Sequence, residues 1–283
     1  EIIILDVNID GQISFDALKK ALNQNTVLVS IMYANNEIGS IMPIREIGEI
    51  INNFRLTNSK NNIIFPDFFP LFHTDATQAF QFYKINTREL FLNSATISSH
   101  KIYGPKGVGA LYIKNVVRNS YPISAIITGG GQEFGLRSGT ENISGIVGFS
   151  EAVSLVNKSR EKEFKRLLNL RDELYLYLQK IILGVELNGP QLKNNIRLPN
   201  NLNIYLKNIE AQYALTKLDV LGISVSSSSA CSVRKVTPSY VIKALGYDEV
   251  RARHSLRFSL GRYTTESEIK EVIRRISNDN FFK

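Results

Sequence analysis

The pattern of apolar and polar positions divides the chain into two halves of different character. In the first half, short apolar runs alternate with stretches of helical spacing. Ile2 to Val7 reads as a strand, Phe15 to Leu22 as a short helix and Val27 to Met32 as an apolar strand. Pro43 opens a helix through about Phe54, because a proline in the first helical position gives up an N–H that has no intrahelical partner there. Strand-like runs return at Leu71 to His73, Asn93 to Ile97 and Val108 to Ile113. Such alternation predicts an α/β layered sheet.

From Thr140 the pattern changes. One helix is predicted from near Glu141 to about Val156, and a second from Glu163 to Leu183. In the second, Phe164, Leu167, Leu168, Leu174, Leu178 and Ile181 recur at helical spacing. Gly184 and the turn Asn188-Gly189-Pro190 close it, and the remainder alternates strand and helix, as in a smaller α/β domain. The boundary is expected near Arg160, giving a large domain over 1–160 and a small C-terminal domain over 161–283. The segment Asn52 to Pro70 is polar, then aromatic and proline-containing, and reads as a surface insertion.

Composition narrows the partners. Over 283 residues, 43% hydrophobic and 21% charged positions are ordinary for a globular chain. No apolar run approaches the roughly 18 residues that span a bilayer, so no membrane partner is expected. The sequence begins at Glu1 inside a strand-like run, with no initiator Met or signal pattern, and an N-terminally truncated or processed chain is expected. The net charge of +8 is scattered, and its densest stretch, Arg160 to Arg171, mixes in Glu161, Glu163 and apolar residues. That is the solvated face of a helix, and nucleic acid is not expected as a partner. A single cysteine, Cys231, excludes an intramolecular disulfide and a Cys-rich zinc site, so no metal is expected and a reducing compartment fits.

Four clusters carry candidate chemistry. Asn35-Asn36-Glu37-Ile38-Gly39 follows an apolar strand, where open α/β sheets collect ligands; taken alone, a polar turn closed by Gly explains it better. His73-Thr74-Asp75-Ala76-Thr77-Gln78 also follows a strand. Its Asp75 suits a protonated ring nitrogen, and suits the cap of a following helix better still. Ser98-Ser99-His100-Lys101 leads into Tyr103-Gly104-Pro105-Lys106-Gly107. An amine at a strand end among hydroxyls and glycines can lose its solvation and become a Schiff-base nucleophile, although a loop lysine is ordinarily solvated. The fourth cluster, Gly129-Gly130-Gly131 through Gly139-Thr140, frees the backbone and sets Thr140 where it would cap the next helix, a ready anion site; a plain glycine-rich loop is the rival reading. Together they supply an amine, an acid and hydroxyls, the set that pyridoxal 5'-phosphate requires.

The same motifs, in this order, resemble the NifS/IscS-type cysteine desulfurases of the class-V aminotransferase family. The likeness continues through Leu202-Asn203-Ile204, Ser229-Ala230-Cys231, Pro238-Ser239-Tyr240-Val241 and Arg257-Phe258-Ser259-Leu260-Gly261-Arg262. It implies the α/β architecture of fold type I pyridoxal-phosphate enzymes, with a large sheet domain incomplete at its start, and a homodimer. It implies that Lys101 carries the cofactor, Asp75 pairs with the pyridinium nitrogen and Gln78 bonds the ring hydroxyl. Ser98 and His100 would hold the phosphate, with Thr140 serving the partner subunit's phosphate site. Asn35 and Arg257 would grip the carboxylate of L-cysteine, for which a planar guanidinium fork is well shaped. Cys231 would take the sulfur as a persulfide, releasing alanine, and pass it to a sulfur acceptor or an iron–sulfur scaffold protein. The Ser-rich run Ser226 to Ser232, with Arg234 and Lys235 beyond, independently favours a reactive thiolate over a buried apolar cysteine.

The family's opening phosphate turn and its ring-stacking histidine are absent from this sequence. The C-terminal tail that docks scaffolds in the IscS branch is not recognisable in Ile276 to Lys283. A selenocysteine lyase or another fold type I enzyme is the nearest alternative, and a non-catalytic assembly partner a distant one. The compartment implied is cytoplasmic in a bacterium and mitochondrial or plastid in a eukaryote.

Overall fold

The computed structural model describes residues 1–60, 69–114, 123–227 and 238–282; Cys231 lies outside them. The chain forms two compact units, one made of Leu22–Tyr33 and Pro43–Arg160, the other of Glu1–Ala21, Ala34–Met42 and Glu161–Lys283.

The first unit is built on a four-stranded sheet in the order β1 (Leu28–Met32), β2 (Leu71–Asp75), β3 (Ser94–Ser98), β4 (Gly109–Ile113). The first three strands are parallel and β4 is antiparallel to β3. A parallel pair needs a crossover, and helix α2 (Ile44–Lys60) lies in the one between β1 and β2. Its Ile44, Ile47 and Ile51, spaced three and four apart, are fully buried. The helix runs past the expected end at Phe54 because Arg55 has fixed partners. Its Nε donates to the carbonyl of Pro70 at 2.9 Å, and Nη2 donates to Asn93 Oδ1, which also accepts from the Phe72 amide. Much of the supposed insertion is therefore the last turns of α2, and 61–68 lie outside the described residues.

The second unit holds an antiparallel sheet ordered β5 (Val185–Leu187), β6 (Asn201–Leu206), β8 (Ser255–Ser259), β7 (Ser226–Ser227). Its helices are α1 (Phe15–Ala21), α4 (Ala211–Val220), α5 (Tyr240–Ala244), α6 (Glu249–Arg253) and α7 (Glu266–Ser277). Leu167, Leu170, Leu174 and Leu178 of α3 (Ile143–Ile181) are buried in this unit, together with Arg171. The buried Arg171 donates to the Leu198 carbonyl and to Asp172 Oδ1.

Two sequence expectations fail here. The predicted pair of helices after Glu141 is one helix of 39 residues. Its polar middle contains neither Gly nor Pro; Ser159 Oγ donates to the Leu155 carbonyl, and Arg160 Nη2 donates to Asn157 Oδ1 and, off the helix, to the Phe80 carbonyl. The apolar run Ile2 to Val7 is not a strand among the described residues. It pairs at Val7 alone, bridged to Ile13, and Ile2 and Ile4 are exposed. Alternation favours a strand, but a neighbouring strand has to supply the ladder.

Candidate active site

In the first unit, the candidate residues gather at the carboxyl ends of β2 and β3. Asp75 is the last residue of β2, in register with Met32 of β1 and Thr96 of β3. Parallel neighbours lie about 4.8 Å apart, so the ends of these strands form one polar edge. Asp75 Oδ1 accepts from the Thr77 amide at 2.9 Å, which fixes the carboxylate as the chain turns out of the sheet. A series of turns, not a helix, follows, so Asp75 anchors a turn and does not cap a helix. Gln78, half-buried, lies in that turn.

One strand over, β3 ends at Ser98 and runs into a 3-10 turn, Ser99–Ile102, that carries His100 and Lys101. The Ser98 hydroxyl and His100 Nδ1 are 2.8 Å apart, so the two proposed phosphate ligands are already joined. Lys101 and His100 are exposed, whereas Ser99 and Ile102 on either side are buried and hold the turn down. Tyr103 closes the turn in the left-handed region, with φ 67°. The Gly104 amide then donates back to the Ser99 carbonyl at 3.0 Å. Gly104 is required on steric grounds, since a Cβ there would collide with Ser99 Oγ and come within 3.0 Å of Ala152 Cβ.

Beneath Asp75 on the same face of β2, His73 shares its ring Nδ1 with Ser30 Oγ at 2.8 Å. Burial pushes this imidazole below the ordinary histidine range, and the nearby Asp75 carboxylate opposes that shift in part.

The glycine-rich segment folds as a loop knitted by its own side chains. Ser138 Oγ accepts from the Gly131 amide, and Gln132 Oε1 from the Gly139 amide. Thr140 is exposed and does not cap α3. That role falls to Asn142, whose Oδ1 accepts from the Gly145 amide at 3.1 Å. Thr140 and Asn142 lie two positions apart and both are capping residue types, which the sequence pattern alone does not separate.

In the second unit, the turn Asn35–Gly39 and the strand β8 hold the remaining candidates. Asn35 Oδ1 closes the turn from within, accepting from the Glu37 and Ile38 amides at 2.8 and 3.0 Å. Gly39 follows with φ 72°, and its carbonyl accepts from the Leu198 amide. Arg257 sits in the middle of β8, opposite Asn203 of β6 and Ser226 of β7. Its Nη1 donates to the Asn36 carbonyl at 3.0 Å, while Nε is buried with no hydrogen-bond partner among the described residues. Glu37, a motif residue to which the sequence assigned no role, is buried at 5% exposure and accepts from Ser239 Oγ at 2.5 Å. Burial pushes its carboxyl above the ordinary carboxylate range, against the opposing pull of Ser239 and the Arg257 charge. Cys231 falls outside the described residues.

Within each unit, then, the structure brings together what the sequence had grouped: Asp75, Gln78, Ser98, His100 and Lys101 in one, Asn35 and Arg257 in the other. The donor set of the first fits pyridoxal phosphate: an acid at one strand end, a joined hydroxyl and imidazole at the next, and an exposed amine one residue on.

Residues 1–272 match the family model described as aminotransferase class V. The cysteine desulfurase IscS of Dictyoglomus turgidum is 41% identical over 279 residues, covering 98% of this chain and 66% of that protein. The IscS of Histophilus somni is 44% identical over 269 residues, with 95% and 61% covered. A mitosomal cysteine desulfurase of Trachipleistophora hominis is 39% identical, with 97% and 58% covered. The chain thus spans less than two thirds, 58 to 66%, of the length of these curated relatives. Among solved structures, a NifS-like protein superposes with a TM-score of 0.80 at 33% identity, covering 96% of this chain and 66% of that one. A NifS-like protein from Rickettsia africae gives 0.78 at 33% identity, with 96% and 67% covered.

Proposed function

Because the chain belongs to the class-V aminotransferase family, whose members generally depend on pyridoxal phosphate, we propose that the protein is a cysteine desulfurase: it removes sulfur from L-cysteine, leaving alanine and a persulfide on Cys231. The observation that carries the proposal is the polar edge made by Asp75, Ser98, His100 and Lys101 at the ends of adjacent parallel strands. Bound there, the cofactor supplies a carbonyl for the substrate amine and an electron sink for the carbon beside it.

The chain's own residues would do the rest. Lys101 offers the amine that anchors the cofactor and moves protons at the substrate carbon. Asp75, fixed by the Thr77 amide, holds the proton of the ring nitrogen in place. Gln78 bonds the ring hydroxyl. The Ser98–His100 pair donates to the phosphate, and Thr140 serves that of a partner subunit in a homodimer. Asn35 and Arg257 orient the substrate carboxylate. The Cys231 thiolate attacks the substrate sulfur, so that a sulfur–sulfur bond forms as the carbon–sulfur bond breaks and the carbon takes up a proton. The persulfide then goes to an acceptor protein, as iron–sulfur cluster assembly or other sulfur transfer would require.

The test is turnover of L-cysteine by the whole protein with a thiol reductant present. The parent should form alanine and sulfide in equal amounts. Cys231→Ser should retain the cofactor and still bind cysteine, yet release sulfide only at background. Near-normal sulfide from the variant would mean that Cys231 is not the acceptor.

A further inference from the structure

Glu37 is the one motif residue here whose carboxyl is buried, and a buried carboxyl costs free energy unless something holds it. Its backbone and side chain are held by different elements. Asn201 Nδ2 and Asn203 Nδ2 of β6 both donate to the Glu37 carbonyl at 3.0 Å. One residue earlier, the Asn36 carbonyl accepts Arg257 Nη1 from β8. Two consecutive carbonyls are therefore clamped by adjacent strands, and Asn203 and Arg257 are cross-strand partners in that ladder. The Glu37 side chain goes elsewhere, to Ser239, which is 2% exposed. The same Ser239 oxygen accepts from the Ile242 amide at 3.2 Å and so caps α5. Ile38, next along, packs in one cluster with Val241 and Ile242 of α5, Leu245 just after it, and Ala252 of α6.

The turn is thus tied to the sheet on one side and to the head of α5 on the other. The Asn36 carbonyl is the atom that fixes one arm of Arg257, while the buried Arg257 Nε has no hydrogen bond among the described residues. An acid paired directly with that guanidinium would compete with a bound carboxylate. Glu37 instead spends its carboxyl on Ser239.

We infer that Glu37 is a positioning residue for carboxylate recognition: its link to Ser239 sets the Asn35–Gly39 turn so that the Asn36 carbonyl orients the Arg257 guanidinium toward the substrate carboxylate. This rests on the reading of Arg257 given under the proposed function. A Gln in place of Glu37 keeps the length and an oxygen that can accept from Ser239, whereas an Ala keeps neither.

The experiment is calorimetric titration of the cofactor-loaded whole protein with two ligands. L-Alanine carries the carboxylate but no sulfur; ethylamine lacks the carboxylate. The parent, Glu37→Ala, Glu37→Gln, Arg257→Ala and the Glu37→Ala/Arg257→Ala double variant are compared. Glu37→Ala should bind L-alanine about tenfold more weakly, within the range of coupling between contacting residues, with ethylamine affinity little changed and Glu37→Gln close to the parent. In the Arg257→Ala background, Glu37→Ala should add almost nothing. An equal loss for both ligands, a full further loss in the double variant, or a Gln variant as poor as Ala would overturn the assignment. If Glu37→Ala does not fold, Ser239→Ala goes through the same cycle against the same outcomes. Arg257→Ala binding L-alanine as the parent does would instead remove Arg257 from the substrate site, and would sink the functional reading together with this one.

Discussion

At the scale of single residues, chemistry is set by what each side chain is already bonded to. Asp75 and the Ser98–His100 pair each hold a fixed hydrogen bond, so their directions are set before any ligand arrives. His73 is the less obvious case. Burial lowers its folded-state pKa below 6.5, while the unfolded chain protonates in the ordinary range. The unfolded state therefore binds more protons between those two values, and stability should fall as pH drops from about 6.5 to the folded value, then level off. His73→Asn should flatten that part of the pH–stability curve measured by urea unfolding. An unchanged slope in the variant would mean that another group titrates there.

At the scale of elements, the site depends on how a strand is stopped. The turn bearing His100 and Lys101 is closed by a left-handed Tyr103 and by Gly104, which admits no Cβ beside Ser99 Oγ. Gly104→Ala should cost on the order of 1–3 kcal/mol by overpacking and should weaken cofactor retention as the turn shifts. Equilibrium unfolding and cofactor absorbance read the two effects separately, and parent-like retention would argue that this turn does not hold the cofactor.

Elements of this kind were legible in the sequence wherever an apolar run ended on polar residues, as at Met32, Asp75 and Ser98. What escaped was decided by partners distant in sequence. The continuity of α3 follows from a polar middle that holds neither Gly nor Pro, where the polar stretch alone reads as an interruption. The cap at Asn142 in place of Thr140 is a choice between two capping residue types two positions apart. Glu37 read as one polar residue of a turn because its partner, Ser239, lies 202 positions away. Arg171 read as part of the solvated face of a helix, yet it is buried, as is Arg197. Arg197 is pushed down to about 9, chiefly by burial and then by the neighbouring Arg171 charge, and it donates hydrogen bonds to the carbonyls of Asn188 and Pro190.

At the scale of the whole molecule, the fold is that of the NifS-like proteins, with the residues proposed for the cofactor and those proposed for the substrate carboxylate in separate compact units. Under the proposed function each unit would have its own task, and strand ends of a parallel sheet are where ligands collect in open α/β folds. The central claim is that Lys101 is the residue that carries it. Borohydride reduction of the whole protein incubated with pyridoxal phosphate, followed by peptide mapping, tests this most directly. The account predicts a pyridoxyl group on Lys101. A label on Lys106, or no pyridoxyl adduct at all, would contradict it.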